Sequence, residues 1–132
     1  MKELIERFAS TERAISDSRE GFWLFALFLR EDALDRWDLV VSAPWTQHDS
    51  GPALRYLAEQ VNREFNPEEL KVLSRIVLVD KGNPALEAIN RAMHVEHGVL
   101  EVRDSTFFGL SIKHAYVITS KSPSIPASVP VA

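Results

Sequence analysis

The stretch 38-DLVVS-42 predicts a β-strand, and it is followed by a polar loop and a helical pattern that begins at Pro52. The design recurs further along the chain, where 75-RIVLV-79 precedes a second polar loop and a helical pattern from Pro84. Strand–loop–helix units joined in series give parallel strands with helices on the sheet faces. Ligands in such folds gather at the carboxyl ends of the strands. The two units therefore predict an α/β domain and indicate one edge of its sheet as the place for a ligand.

The other periodicities predict a mixed five-stranded sheet in a domain of order α-β-β-α-β-α-β-β. The run 22-FWLFALFL-29 has no polar face, so we expect it near the middle of the sheet. The strand that follows it is expected to be antiparallel to it. Asn66 and Asn83 each precede a proline, which is the pattern of a helix N-cap followed by the first helical residue. The predicted elements are a helix over 2–16, strands over 22–29 and 37–43, a helix from Pro52 that Asn66 and Pro67 end, a helical turn over 67–70, a strand over 72–79, a helix over 84–93, a strand over 98–103, a turn at Asp104 and Ser105, and a strand over 106–119.

The C-terminal segment differs in composition from the rest. Residues 1–120 are interpreted as one α/β domain, and residues 121–132 as a tail rich in proline and serine. Prolines at intervals favour an extended or polyproline conformation over a helix. The tail is either disordered or docked, on its own domain or on a neighbouring molecule.

Composition disfavours some classes of function. The chain has 132 residues, of which 45% are hydrophobic and 26% charged, as is usual for one folded domain. Its net charge of -4 opposes attraction to phosphate backbones, so nucleic acid is an unlikely partner. The longest apolar run is far shorter than the roughly 20 residues of a spanning helix, so no membrane partner is expected. The chain has no cysteine, which favours a cytoplasmic location.

The loops at 44–51 and 80–83 are the candidate ligand site. If the strands before them are adjacent and parallel, both loops leave the same edge of the sheet. The amide groups at a helix N-terminus could hold an anion there. The alternative is that these side chains only cap helices. The candidate ligand-binding residues are His48, Asp49, Ser50, Asp80, Lys81 and Asn83.

Three other features are weaker indications of a functional site. His94 and His97 have helical spacing, but two ligands without a third or fourth do not make a metal site, so neither a metal nor a cofactor is assigned. Asp38 at the start of a strand resembles a nuclease magnesium ligand, but the further carboxylates and the nearby lysine that such a site needs are not evident. His114 interrupts the last strand, where it is either a partly buried, hydrogen-bonded histidine or the mark of a β-bulge.

These observations predict a non-catalytic cytoplasmic interaction or regulatory module that associates with itself, by default as a homodimer. The expectation depends on the missing catalytic signatures, on the apolar, proline-bearing tail and on three tryptophans, Trp23, Trp37 and Trp45. A protein partner is compatible with it. The first alternative is a small enzyme or ligand-binding protein that uses His48, Asp49, Asp80 and Lys81. The second alternative is a metal-dependent activity through His94 and His97.

Overall fold

The computed structural model describes residues 2–32, 36–47, 50–107 and 109–123. It has the predicted architecture, an α/β domain with one mixed five-stranded sheet and helices in the predicted order. Most of the tail, residues 124–132, lies outside the described residues. The elements are α1 (Lys2–Ser18), β1 (Leu24–Arg30), β2 (Trp37–Ser42), a 3-10 turn (Pro44–Thr46), α2 (Ser50–Glu64), α3 (Pro67–Leu70), β3 (Leu73–Leu78), α4 (Pro84–Ala92), β4 (Leu100–Phe107) and β5 (Leu110–Ser120).

The strands are arranged in the order β3-β2-β1-β5-β4. The apolar strand β1 is central, as predicted, and pairs antiparallel with β2 on one side and with β5 on the other. β2 and β3 are adjacent and parallel, with Val41 opposite Leu78 at their carboxyl ends. This pairing confirms that the loops after both strands leave the same edge of the sheet.

Each face of the sheet is covered by its own helices. On the first face, α1 and α2 bury Phe8 and Leu57 against alternate β1 residues such as Phe25. On the second face, α4 packs Leu86 and Ile89 against the other β1 residues, Leu24, Ala26 and Phe28. Each face of the sheet therefore has its own apolar core, and β1 contributes side chains to both cores.

The N-termini of α3 and α4 are capped by the two predicted asparagines. The Asn66 side chain accepts a hydrogen bond from the backbone N–H of Glu69 at 2.9 Å, and the Glu69 carboxylate accepts one from the backbone N–H of Asn66. The Asn83 side chain accepts one from the backbone N–H of Ala85 at 2.9 Å. Both asparagines satisfy amide groups that the first helical turn leaves unpaired.

A bulge in β5 changes which face its side chains occupy. Leu29 of β1 is opposite His114, but Arg30 is opposite Ile112, so Lys113 is an extra residue. His114 consequently lies on the first face, beside Tyr116, with 4.6 Å between ring centroids. Ile112 is buried on the second face. A bulge was one of the two interpretations of His114, and the other, a partly buried and hydrogen-bonded ring, also applies.

The predicted turn at Asp104 and Ser105 is wrong. β4 continues to Phe107, which pairs with Leu110, and Ser105 still pairs with Ile112. Asp104 does have the positive φ of a turn residue, +47°. Aspartate tolerates this conformation, and here the ladder resumes directly after it. Thr106 therefore belongs to β4, and the chain reverses near Gly109, whose φ is +74°.

Candidate functional site

One glutamine joins the two loops at the predicted edge. The Gln47 amide donates to the carbonyl oxygen of Ala43 at 2.9 Å and accepts from the backbone N–H of Lys81 at 2.8 Å. The second bond crosses from the loop after β2 to the loop after β3. Sequence reasoning missed Gln47, because nothing local indicates that its side chain bridges to residue 81.

The structure distributes the predicted ligand residues over three concavities. Ser50 and Asp80 border an open depression near α2. Asp80 and Asn83 border a cleft on the second sheet face. Lys81 borders a groove along α4. His48 and Asp49 lie outside the described residues, and the Asn83 side chain caps α4.

The cleft on the second sheet face, which we call the sheet-face cleft, has a volume of about 250 Å³. It lies on the part of that face that carries Arg30, Asp38 and Arg75. Phe28, Val40, Val77, Leu110 and Ile112 form its apolar lining. Apolar walls with a few convergent polar groups are typical of small-molecule sites.

Asp38 is the centre of the charged part of the sheet-face cleft. Its side chain is only 4% exposed. The Nε atoms of Arg30 and Arg75 lie 3.0 Å and 3.3 Å from the same carboxylate oxygen, Oδ2. Because β1, β2 and β3 each contribute one residue, this cluster exists only when all three strands are paired in this register.

The other carboxylate oxygen, Oδ1 of Asp38, is buried and has no hydrogen-bond partner within the described ranges. An unsatisfied buried polar atom costs about 1–3 kcal/mol, and more when the group is charged. Such atoms are rare in native proteins and call for an explanation. Both arginines pair with Oδ2, so Oδ1 is the atom that a further donor would complement.

The nuclease hypothesis about Asp38 gains no support. Its carboxylate is paired with two guanidinium groups instead of facing other carboxylates. In the part of the chain that the structure describes, no three side chains among His, Cys, Asp and Glu are grouped so that they could hold a metal ion.

His94 and His97 are in different surroundings. α4 ends at Ala92, so the helical spacing that would place both rings on one face is absent. His94 is exposed and borders the groove along α4. His97 has a φ of +54°, and its Nδ1 atom lies 2.7 Å from Oε1 of Glu12 in α1.

Glu12 is fully buried, and several groups hold its carboxylate. The hydroxyl groups of Thr119 and Ser16 donate to Oε2 at 2.8 Å and 3.1 Å, and the His97 ring hydrogen-bonds to Oε1. The backbone N–H of His97 also donates to Oγ1 of Thr119 at 3.1 Å. This cluster fastens α1, β5 and the segment after α4 to one another. We call it the Glu12 cluster.

A second histidine–carboxylate pair lies on the first sheet face. The Nε2 atom of His114 hydrogen-bonds to the carboxylate of Glu101 on β4. This bond is the largest cause of a lowered pKa at Glu101, and the charge of Arg103 lowers that pKa further. Burial and the Glu101 charge raise the pKa of Tyr116.

Comparison with protein-family models, curated proteins and solved structures finds no match to this chain. Among the described helices, none has the length and apolar character needed to cross a bilayer.

We predict that His97→Ala lowers the free energy of unfolding by about 1–3 kcal/mol, because it leaves Oε1 of Glu12 buried without a partner. His97→Asn should recover part of the loss, since asparagine tolerates positive φ and keeps an N–H donor. Urea denaturation followed by circular dichroism measures both. The control is His94→Ala, a change at an exposed residue, which should shift stability by no more than about 0.5 kcal/mol. Equal stability of His97→Ala and wild type would contradict the role of the Glu12 cluster.

We also predict that His114→Phe raises the pKa of Glu101 towards its ordinary value, because phenylalanine keeps an aromatic ring but cannot hydrogen-bond. The lowered pKa of Glu101 means that its ionised form stabilises the native state above its ordinary pKa. That stabilisation is lost as the pH falls through the lowered pKa. NMR titration of the glutamate carboxyl carbons measures the change. Arg103→Gln should raise the pKa less, and an unchanged value in His114→Phe would refute this assignment.

Proposed function

We propose that the protein binds a small organic acid in the sheet-face cleft. The observation that carries the proposal is the buried Asp38 carboxylate, which has one oxygen between two arginines and the other unpartnered. The lining consists of arginine, aspartate, asparagine and apolar side chains, which bind and orient a ligand. Binding is therefore proposed in preference to a reaction.

The charges in the cleft favour one orientation of the ligand. Arg75 is half exposed and uses Nε for Asp38, so its terminal nitrogen atoms can meet an incoming carboxylate. Asp80 places negative charge elsewhere in the cleft. The ligand carboxylate is thus expected beside Arg75 and away from Asp80.

The unpartnered Oδ1 atom of Asp38 specifies a second feature of the ligand. A carboxylate oxygen accepts hydrogen bonds, so the complementary group is an N–H or O–H donor close to the ligand carboxylate. A hydroxy acid or an amino acid has both groups. Its apolar part would lie against Phe28, Val77 and Ile112.

A purely structural role for the charged cluster does not explain why Oδ1 of Asp38 has no donor. Ion pairs between neighbouring strands would hold β1, β2 and β3 in register whether or not a ligand binds. A structural pair can satisfy both carboxylate oxygens with one bidentate arginine. Here two arginines converge on Oδ2 and leave Oδ1 without a donor, and a ligand would supply that donor.

We predict that NMR titration with small apolar carboxylic acids and their α-hydroxy and α-amino analogues shifts the methyl signals of Val77 and Ile112. The analogues should bind more tightly than the simple acids, because they supply the donor for Asp38. Arg75→Gln should weaken binding about tenfold or more, the effect of losing a charge-assisted hydrogen bond. Arg55→Gln, at an exposed position on α2, is the matched control. Equal affinities of the two variants, or shifts confined to other residues, would overturn the proposal.

A second candidate function is self-association through the β4 edge. β4 is an outer strand; its first residue, Leu100, is 37% exposed, and Val99 just before it is 47% exposed. If two copies paired antiparallel about Val102, Glu101 of each copy would be opposite Arg103 of the other. Opposite charges at directly paired positions stabilise a sheet, and a two-fold axis makes the contact self-complementary.

The charge pattern of β4 makes this candidate testable by light scattering after size-exclusion chromatography. We expect a dimer for the wild type and a monomer for Arg103→Glu, which places like charges opposite each other. The double variant Glu101→Arg with Arg103→Glu should restore the dimer. A monomeric wild type at high micromolar concentration, or an unchanged mass for Arg103→Glu, would exclude this interface.

A further inference from the structure

A second concavity lies along α4 and has a volume of about 490 Å³. We call it the helix groove. It shares no lining residue with the sheet-face cleft. Pro123 closes one side of it, and the described part of the chain ends there. The residues that matter for its chemistry are Lys81, Leu86, Asn90, Arg91 and His94.

Asn90 contributes a buried donor that has no acceptor. The residue is 1% exposed, and its Oδ1 atom accepts a hydrogen bond from the Ser120 hydroxyl at 2.9 Å. Its Nδ2 atom is buried and has no hydrogen-bond partner among the described residues. Asn90 borders the groove, and a ligand atom that complements Nδ2 must be a hydrogen-bond acceptor that reaches this buried atom through a small shift of the groove wall.

The charged side chains of the helix groove are mainly basic. Lys81 and Arg91 border it, and Arg91 donates to the Glu87 carboxylate at 2.6 Å, which leaves Lys81 as the basic group without an acidic partner among the described residues. The Lys81 ammonium group lies 5.8 Å from the centre of the Trp23 ring, which favours a position over that ring. A basic concavity is notable in a chain of net charge -4, because local charge determines which ligands a concavity attracts.

We propose that the helix groove binds an oxyanion, the carboxylate or phosphate group of a small molecule. One oxygen of the anion accepts a hydrogen bond from Nδ2 of Asn90, and the Lys81 ammonium group balances the negative charge. The volume is in the range of small-molecule sites, so the groove has room for an anion larger than inorganic phosphate.

Arg91 is not the residue on which to test this site, since its bond to Glu87 is an ordinary helix pair four residues apart. Lys81 and Asn90 are better tests. Neither the Lys81 ammonium nor Nδ2 of Asn90 has a hydrogen-bond or ion-pair partner within the described ranges.

The experiment titrates the intact protein with pyrophosphate and with citrate at low ionic strength, with the side-chain amide signal of Asn90 as the NMR readout. We expect that signal to shift and the affinity to fall as salt is added. Lys81→Gln should weaken binding about tenfold or more, the effect of losing a charge-assisted hydrogen bond. Lys71→Gln is the matched control, because Lys71 pairs with Glu68 on α3 and does not border the groove. Arg75→Gln should also leave this affinity unchanged, which separates the helix groove from the sheet-face cleft.

Asn90→Leu keeps a side chain of similar size and removes the unpartnered donor. This variant should fold, as judged by circular dichroism, and should bind neither probe. If it does not fold, the comparison of Lys81→Gln with Lys71→Gln still decides the matter. Absence of any shift of the Asn90 signal in the wild type, or equal affinities of those two lysine variants, would overturn the proposal.

Discussion

The apolar character of β1 on both faces is the constraint on which the rest of the structure depends. Such a strand must be paired on both sides and covered on both faces, which requires two neighbouring strands and helices above and below. α4 has nine residues and is about 13 Å long, whereas the seven residues of β1 extend about 23 Å. One helix of that length cannot cover the whole second face. The sheet-face cleft lies on the remaining part.

Two carboxylates are buried among the described residues, and they differ in how they are satisfied. Both oxygens of Glu12 have partners, two hydroxyl groups and an imidazole. Asp38 has partners on one oxygen alone. A fully satisfied buried charge is what a structural role requires, and an incompletely satisfied one leaves room for a ligand. For this reason we assign the Glu12 cluster a structural role and propose the Asp38 cluster as part of a binding site.

Local signals in the sequence predicted the caps at Asn66 and Asn83 and the central position of β1. The parallel direction of β2 and β3 followed from the two strand–loop–helix units, whereas their adjacency was only a condition of the predicted site, which the structure meets. The pairs Glu101–His114 and Glu12–His97 were not predictable, because they depend on strand register and on contacts 13 and 85 residues apart. A slip of one residue moves a side chain to the other face of a sheet. Asp38 was recognised as notable, but its arginine partners come from two neighbouring strands. Of the candidate ligand residues, those that the structure describes do follow the carboxyl ends of β2 and β3, but a helix cap occupies the side chain of Asn83 and the bridge from Gln47 occupies the backbone N–H of Lys81.

The bond between Glu12 and Thr119 joins positions 107 residues apart, close to the two ends of the domain. Loop closure over such a distance has a large entropic cost, which is offset only when the packed sheet already holds the ends near each other. During synthesis α1 leaves the ribosome before β5, so the Glu12 carboxylate has Ser16 close by in its own helix but lacks Thr119 until the last strand has emerged. α1 therefore acquires its full set of contacts late, and a nascent chain without β5 would leave the Glu12 carboxylate without the strand that covers it.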